Sequence, residues 1–216
     1  MTREKKSVNG KYMRAGHLIN VPTPATPIKS KEDLFKIRQA LKGENPEIKK
    51  PHDKYSMLFE IACTIGLRVT DTLDITPRNI LEGTPIYEKK TGKRRSIIVN
   101  DRLKDLVRKY MEKYHLQLDD VLIFANRKDG RKDKPIDKSQ AYRKLKEIIE
   151  KVCPEVHFSN HTTRKTWAWS FYLATGKDIA KVQKVMGHTS SLITADYIGL
   201  SRQELKAELE KFDPFE

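Results

Sequence analysis

The sequence has few cysteines and no long apolar run, and both features narrow the class of protein. Only two residues are cysteine, Cys63 and Cys153, and neither stands in a Cys-x-x-Cys pair. This count predicts neither a disulfide framework nor a zinc site, and it favours a reducing cytosolic compartment. The charged N-terminus is not typical of a secretion signal, and no stretch is apolar enough to span a bilayer. A membrane role is therefore not expected.

Acidic residues are scarce relative to basic ones. The chain carries 43 lysine and arginine residues against 29 aspartate and glutamate residues, which gives a formal net charge of +14. Such an excess makes a polyanion the expected partner, and nucleic acid is the first candidate. The 216 residues and their 38% hydrophobic content are sufficient for one globular domain with a real core.

Capping residues and apolar periodicity predict a mostly helical chain. Residues 1–29 are basic and contain three prolines, which predicts an extended arm, either lying on DNA or a disordered tail. Helices are predicted in eight places: from Ser30 to Gly43, over 53–65, after Asn100, after Asp137, and over 160–175, 177–186, 191–198 and 201–212. Two strand-like runs around Thr91-Gly92 predict a hairpin. The predicted fold class is mostly α with a small antiparallel β-sheet.

Two motifs in the first half of the chain carry residues suited to binding phosphate. In "GLRVTD", Arg68 and Asp71 lie three residues apart and share a face if a helix resumes there, so the carboxylate could prepare the guanidinium for a phosphate. In "EKKTGKRR", Lys90 and Lys93 flank the turn and are expected to face each other, a repulsion that an anion would relieve. Each motif alone is also explained by ordinary surface charge.

Two motifs in the second half add proton donors and a nucleophile. His161 and Arg164 of "NHTTR" share a helix face near its N-terminus, where the helix dipole favours an anion, although His161 could merely cap the helix. In "GHTSSLITADY", Gly187 predicts a helix end before His188, and Tyr197 follows nine residues later. A buried tyrosine would explain Tyr197 by itself. Taken together, the motifs supply every group that metal-free phosphodiester cleavage needs.

With these motifs in this order, the chain from about Ser30 onward resembles the catalytic domain of the tyrosine recombinases. This family includes phage integrases, Xer-type recombinases and fimbrial invertases. The resemblance implies a catalytic domain over residues 30–216 that ends in the helix at 201–212. That helix could pack on its own domain or dock on a neighbouring protomer in a DNA-bound tetramer. Most members have a helical DNA-clamping domain in front, so this chain is expected to be a short form similar to fimbrial invertases, or a fragment.

The resemblance also implies a role for each motif residue. Arg68 and Arg164 would bind the scissile phosphate, and Asp71 would support the arginine end of the site. Lys90 would protonate the leaving 5′ oxygen, His161 would assist proton transfer and His188 would hydrogen-bond a phosphate oxygen. Tyr197 would attack phosphorus to form a 3′-phosphotyrosyl link. Four further basic residues in or next to these motifs are expected to contact DNA: Lys93, Arg94, Arg95 and Lys165.

The expected function is site-specific DNA recombination on double-stranded DNA, without a metal, ATP or another cofactor, in the cytoplasm at the nucleoid. An accessory DNA-bending or directionality protein is a further expected partner. Two alternatives remain: a type IB topoisomerase-like DNA relaxer, and a DNA-binding accessory protein that kept the fold but not the chemistry. The choice between Lys89 and Lys90 also stays open. Lys90 is preferred because it precedes Thr91-Gly92, and strand alternation is expected to place the two lysines on opposite faces.

Overall fold

A computed structural model describes residues 7–8, 11–14, 17–20, 25–200 and 210. The chain begins with three strands, β1 (Ser7–Val8), β2 (Lys11–Arg14) and β3 (His17–Asn20), which form an antiparallel sheet with β2 in the middle. Tyr12 pairs with Ile19 across β2 and β3. The sequence predicted only an extended arm here, so this sheet is a feature that sequence reasoning missed. The predicted helix at 201–212 lies outside the described residues, except for position 210.

The described elements after residue 25 are mostly helices, in agreement with the predicted fold class. The helices are α1 (Lys31–Lys42), α2 (Asp53–Ile65), α3 (Val69–Thr72), α4 (Pro77–Leu81), α5 (Asp101–Tyr114), α6 (Lys138–Val152), α7 (Thr162–Ala174), α8 (Ile179–Met186) and α9 (Ser191–Ile198). Strands β4 (Ile86–Tyr87) and β5 (Arg94–Arg95) form the predicted hairpin between α4 and α5. Among these residues no helix combines the length and apolar character needed to cross a lipid bilayer.

The helices begin where the sequence supplies capping side chains. Ser30 accepts a hydrogen bond from the Asp33 amide at 3.1 Å, and Asn100 accepts one from the Leu103 amide at 3.0 Å. Asp137 likewise accepts bonds from two amides in the first turn of α6. Each cap satisfies a backbone donor that has no partner inside the helix. The predicted starts of α1, α5 and α6 are therefore confirmed.

Helix α2 is the centre of the domain and contacts α1, α5, α6 and α7. Its apolar side chains, among them Phe59 and Ile61, are fully buried in the main core. A second, smaller cluster joins α7, α8 and α9 through Ala168, Val182 and Ile198. This smaller cluster holds the two site motifs of the second half of the chain against each other.

The residues just before α1 are integrated into the domain. Ile28 is 2% exposed, and its amide donates to Thr166 Oγ1 in α7 at 2.9 Å. Lys29 Nζ donates to the carbonyl of Gly199, immediately after α9, at 2.8 Å. The last residues of the predicted arm therefore connect two elements that carry site residues.

Replacing Ile28 with alanine is expected to lower the free energy of unfolding by about 2–4 kcal/mol, because a fully buried isoleucine is truncated. Urea unfolding of Ile28→Ala and of chains beginning at residue 25 or at residue 30 measures this contribution. The chain that begins at residue 30 should be destabilised like Ile28→Ala, while the one that begins at residue 25 keeps the contact. Equal stability of the two truncated chains would contradict this role.

Candidate active site

Two of the predicted site residues, Arg68 and Arg164, meet at the C-terminal end of α2. This end is a sharp turn at Gly66, whose φ of +68° is a left-handed conformation. A Cβ added at Gly66 would overlap the indole ring of Trp167 in α7, so only glycine fits here. The Arg164 guanidinium donates from Nη1 to the Gly66 carbonyl at 2.6 Å. This bond holds the N-terminal part of α7 next to the segment that contains Arg68, the residue directly before α3.

Arg164 is the most deeply buried cation of the site, with 4% of the residue exposed. Burial lowers the pKa of its guanidinium, as do the charges of Arg95 and Arg68, whereas Tyr197 and Glu88 act in the opposite direction. Three guanidinium groups therefore act on one another around a single carboxylate. Such a concentration of positive charge in a partly desolvated site is suited to binding a phosphate diester.

The two predicted histidines lie near these arginines. His161 is the N-cap residue of α7, but its side chain makes no capping bond, so the simple capping explanation is not supported. Desolvation, and then the charges of Arg164 and Lys165, lower the pKa of His161. Desolvation, Arg164 and Arg68 likewise lower the pKa of His188. Because both pKa values fall below the ordinary 6.5, both rings are neutral at pH 7 and can accept a proton.

Gly187, with φ +71°, ends α8 as predicted and places His188 before α9. His188 Nδ1 lies 3.0 Å from Thr194 Oγ1, which is buried in α9, and this contact fixes the ring. The rings of His188 and Tyr197 meet edge to face, with centroids 5.1 Å apart. Residues nine positions apart in sequence are thus direct neighbours.

The Tyr197 hydroxyl is buried and makes no hydrogen bond of standard geometry with the described residues. Burial raises the pKa of the phenol, while the nearby Arg164 and Arg68 guanidiniums lower it in part. The ammonium of Lys165 lies 5.1 Å from the centre of the Tyr197 ring, and desolvation lowers its pKa. A phenol kept protonated in this way would need a base before it could act as a nucleophile.

The hairpin departs from the predicted register. Tyr87 pairs with Arg94, and the Glu88 amide donates to the Lys93 carbonyl at 3.0 Å, so Glu88 and not Lys90 lies across from Lys93. The expected repulsion between Lys90 and Lys93 is wrong because the turn is longer than a two-residue one. Lys89 and Lys90 both lie in this turn, beyond the paired strands, so strand alternation does not separate them.

The two lysines differ in the contacts that they make in this turn. Lys89 forms an ion pair with Asp74, and its amide donates to Asp71 Oδ1 at 3.0 Å. Lys90 is exposed and makes no hydrogen bond or ion pair within the part of the chain that the structure describes. Asp71, predicted to support the arginine end of the site, is bonded to the hairpin backbone, whereas the carboxylate paired with Arg68 belongs to Glu88.

Glu88 is a site residue that sequence reasoning missed. It is 8% exposed and accepts a bond from Arg68 Nη1 at 2.6 Å. Burial alone would raise its pKa, but bonds from Arg68 and Thr91 and the charge of Arg95 lower it overall. Arg95, predicted to contact DNA, points inward: its Nη1 lies 3.4 Å from Glu88 Oε1, and its Nη2 donates to the Ile65 carbonyl at 3.3 Å. Lys93 and Arg94 are exposed.

A cleft of about 940 Å³ opens between the hairpin, α7 and α8. Arg68, Glu88 and Arg95 line one side of it, and the stacked rings of Trp167 and Phe171, with centroids 5.3 Å apart, line the other. The hairpin cations Lys93 and Arg94 stand at its edge. The cleft therefore leads from the exposed cations of the hairpin to the half-buried Arg68 and Arg95.

A group of possible metal ligands lies elsewhere. Asp33, Cys153 and Glu155 each offer one ligand atom, and these atoms lie within 4.8 Å of one another. Burial raises the pKa of the Cys153 thiol to about 11, which keeps it protonated at neutral pH and makes it a poor ligand. Both cysteines are free thiols. We assign no metal to this group.

Sequence comparison places the chain in a family. The model of the phage integrase family matches residues 31–204. The probable integrase/recombinase YoeC of Bacillus subtilis is 31% identical over 188 residues, which cover 86% of this chain and 96% of that relative. The tyrosine recombinase XerC of Thermodesulfovibrio yellowstonii is 27% identical over 193 residues, which cover 84% of this chain and 60% of XerC. The chain belongs to the phage integrase family and comprises a tyrosine recombinase catalytic domain.

Solved structures share the fold. The XerA recombinase superposes with a TM-score of 0.65 at 20% identity, over 90% of this chain and 66% of that one. The XerH recombinase bound to a palindromic difH substrate, in a post-cleavage complex, gives a TM-score of 0.62 at 20% identity, over 85% and 52%. These matches and the family model confirm the predicted family and fold class. The chain spans nearly all of the Bacillus relative but 60% or less of XerC and XerH.

Proposed function

We propose that the protein is a site-specific DNA recombinase that cleaves and rejoins double-stranded DNA through a 3′-phosphotyrosyl intermediate. The observation that carries this proposal is one cluster of side chains: the Arg164 and Arg68 guanidiniums act on the buried Tyr197 hydroxyl, and the His188 ring meets the Tyr197 ring with centroids 5.1 Å apart. His161 lies near the same two arginines. Membership of the phage integrase family and the net charge of +14 support DNA as the substrate.

The proposed reaction assigns one task to each group. Arg68 and Arg164 bind the scissile phosphate and stabilise the charge that develops on its oxygens, and His188 donates a hydrogen bond to one of them. The Tyr197 oxygen attacks phosphorus while its proton passes to neutral His161. The bond from phosphorus to the 5′ oxygen breaks, and Lys90 gives that oxygen a proton. Because the phosphotyrosyl link conserves the bond energy, a second 5′ hydroxyl can reverse the reaction without ATP.

Recombination requires two DNA partners, so we further propose that the protein self-associates on DNA as a tetramer. One solved relative of this fold is a lambda integrase tetramer bound to a Holliday junction, with a TM-score of 0.57 at 17% identity over 82% of this chain and 49% of that one. An accessory DNA-bending protein and a location at the nucleoid are parts of the same proposal.

The test is to incubate the protein with fragmented DNA from its source, quench with SDS and sequence the DNA that is covalently attached to protein. Fragments that share one junction support a site-specific recombinase and identify its target. Adducts at unrelated junctions, together with relaxation of supercoiled plasmid, would instead indicate a topoisomerase-like relaxer. Binding in gel shifts without any adduct, including on nicked DNA that cannot reseal, would indicate an accessory DNA-binding protein.

Among the turn lysines, Lys90→Ala is expected to slow adduct formation by about 10²- to 10⁴-fold, because it removes the acid for the leaving oxygen. Lys89→Ala should have a much smaller effect, since this lysine is paired with Asp74. Single-turnover cleavage of a nicked duplex that carries the mapped junction measures both rates. A larger loss for Lys89→Ala would reverse the assignment.

A further inference from the structure

Glu88 is held by contacts at both its backbone and its side chain. Its amide donates to the Lys93 carbonyl at 3.0 Å, and its carbonyl accepts from the amides of Thr91 at 3.3 Å and Gly92 at 2.7 Å. Its Oε2 accepts from Thr91 Oγ1 at 2.9 Å as well as from Arg68 Nη1, and its Oε1 faces Arg95. A carboxylate fixed in this way has a single orientation, set by the hairpin turn.

Arg68 depends on this carboxylate for its own orientation. Arg68 precedes the four-residue helix α3, and its side chain is 27% exposed. Nη1 is bonded to Glu88, while Nε and Nη2 make no hydrogen bond among the described residues. These two nitrogens form one edge of the planar guanidinium, and two parallel N–H groups on one edge match two oxygens of a phosphate.

The charges around Arg68 also indicate that its orientation depends on Glu88. Arg68 and Arg95 share the Glu88 carboxylate, and both act on the Arg164 guanidinium, so repulsion among the three cations would turn an untethered Arg68 outward. Glu88 lies between Arg68 and Arg95 and offsets this repulsion. Since its own charge disfavours contact with a phosphate, Glu88 would act through Arg68 and not on DNA directly.

We propose that Glu88 is a positioning residue, which holds Arg68 with its Nε and Nη2 edge directed at the scissile phosphate. This inference rests on the proposed recombinase function and deepens it. It also links the turn that carries Lys90 to the phosphate-binding arginine, so that the acid and the phosphate clamp share one rigid support.

The test compares two nicked duplexes that carry the mapped junction, one with the ordinary 5′ oxygen and one with a bridging sulfur in its place. A sulfur leaving group departs without a proton and so does not require Lys90. Glu88→Gln is expected to slow adduct formation about 10²-fold on both duplexes, because a small misplacement of a binding group has a cost of this size. DNA affinity should change less than threefold in a gel shift. Lys90→Ala, in contrast, should form the adduct slowly on the oxygen duplex but at close to the wild-type rate on the sulfur duplex.

Two further variants make the result specific. Glu82→Gln removes a neighbouring exposed carboxylate that pairs with Arg78, and it should cleave at the wild-type rate. Glu88→Asp keeps the charge but retracts the carboxylate from Arg68, and it should show the same loss as Glu88→Gln while retaining a wild-type melting temperature. If Glu88→Gln does not fold, Glu88→Asp still tests whether the Glu88 carboxylate positions Arg68.

Three outcomes would overturn the proposal. Wild-type or faster cleavage by the Glu88 variants would mean that Glu88 competes with phosphate for Arg68. If the adduct formation rate of Glu88→Gln returned to the wild-type value on the sulfur duplex, Glu88 would position Lys90 and not Arg68. If the wild-type protein itself forms no adduct on either duplex, the proposed recombinase function fails, and the role of Glu88 falls with it.

Discussion

Tyr197→Phe is expected to reduce the covalent protein–DNA adduct to background. The substitution removes only the phenolic oxygen, which is the proposed nucleophile and lies beside Arg164 and Arg68. The phenyl ring can keep its edge-to-face contact with His188. Gel electrophoresis of labelled DNA after an SDS quench measures the adduct directly.

The same variant should fold and bind DNA normally. Among the described residues the Tyr197 hydroxyl makes no hydrogen bond of standard geometry, so we expect its removal to change the free energy of unfolding by less than about 1 kcal/mol. DNA affinity should stay within about twofold, because exposed cations supply most of the attraction. An adduct at the wild-type level in Tyr197→Phe would show that another residue attacks the phosphate.

Arg164→Lys is expected to slow cleavage by about 10²- to 10³-fold, the usual effect of removing one donor that stabilises developing charge. Lysine keeps the positive charge but cannot donate to the Gly66 carbonyl and to a phosphate from one rigid plane. Single-turnover rates on the nicked duplex measure this loss. Arg164 also lowers the pKa of Tyr197, so a poorly placed cation should make the phenol harder to ionise.

A matched control distinguishes chemistry from stability. Arg108→Lys makes the same substitution at an exposed arginine in α5, which pairs with Asp105, and it should leave the rate unchanged. Arg164→Lys is expected to lower the free energy of unfolding by about 1–3 kcal/mol, because a buried bond is lost, so rates are compared well below the melting temperature. Cleavage at the wild-type rate by Arg164→Lys would show that the Arg164 guanidinium is not required to bind the phosphate.

Much of this fold could be predicted from the sequence because its signals are local. The capping residues Ser30, Asn100 and Asp137 and the terminating glycines Gly66 and Gly187 act within one helical turn. The order of the site motifs identified the family, and α7 and α9 then brought two of those motifs together. The roles of the individual residues stay predictions for the experiments above.

What the sequence could not reveal depends on contacts distant in the chain. Glu88 is one acidic residue in a basic stretch, and its importance appears only when the hairpin register places it on Arg68, 20 residues earlier. The inward orientation of Arg95 likewise depends on the Ile65 carbonyl, 30 residues away. The burial of Ile28 requires Thr166, 138 residues later. Periodicity and caps carry no information on such pairs.

The most direct test of the proposed phosphotyrosyl mechanism is to identify the amino acid that becomes covalently linked to DNA. Wild-type protein is incubated with the nicked duplex, quenched, and digested with trypsin and a nuclease, and the peptides are sequenced by mass spectrometry. We predict one modified peptide, with a nucleotide linked through phosphate to Tyr197. Attachment to any other residue, or no modified peptide from a preparation that binds the duplex, would contradict this mechanism.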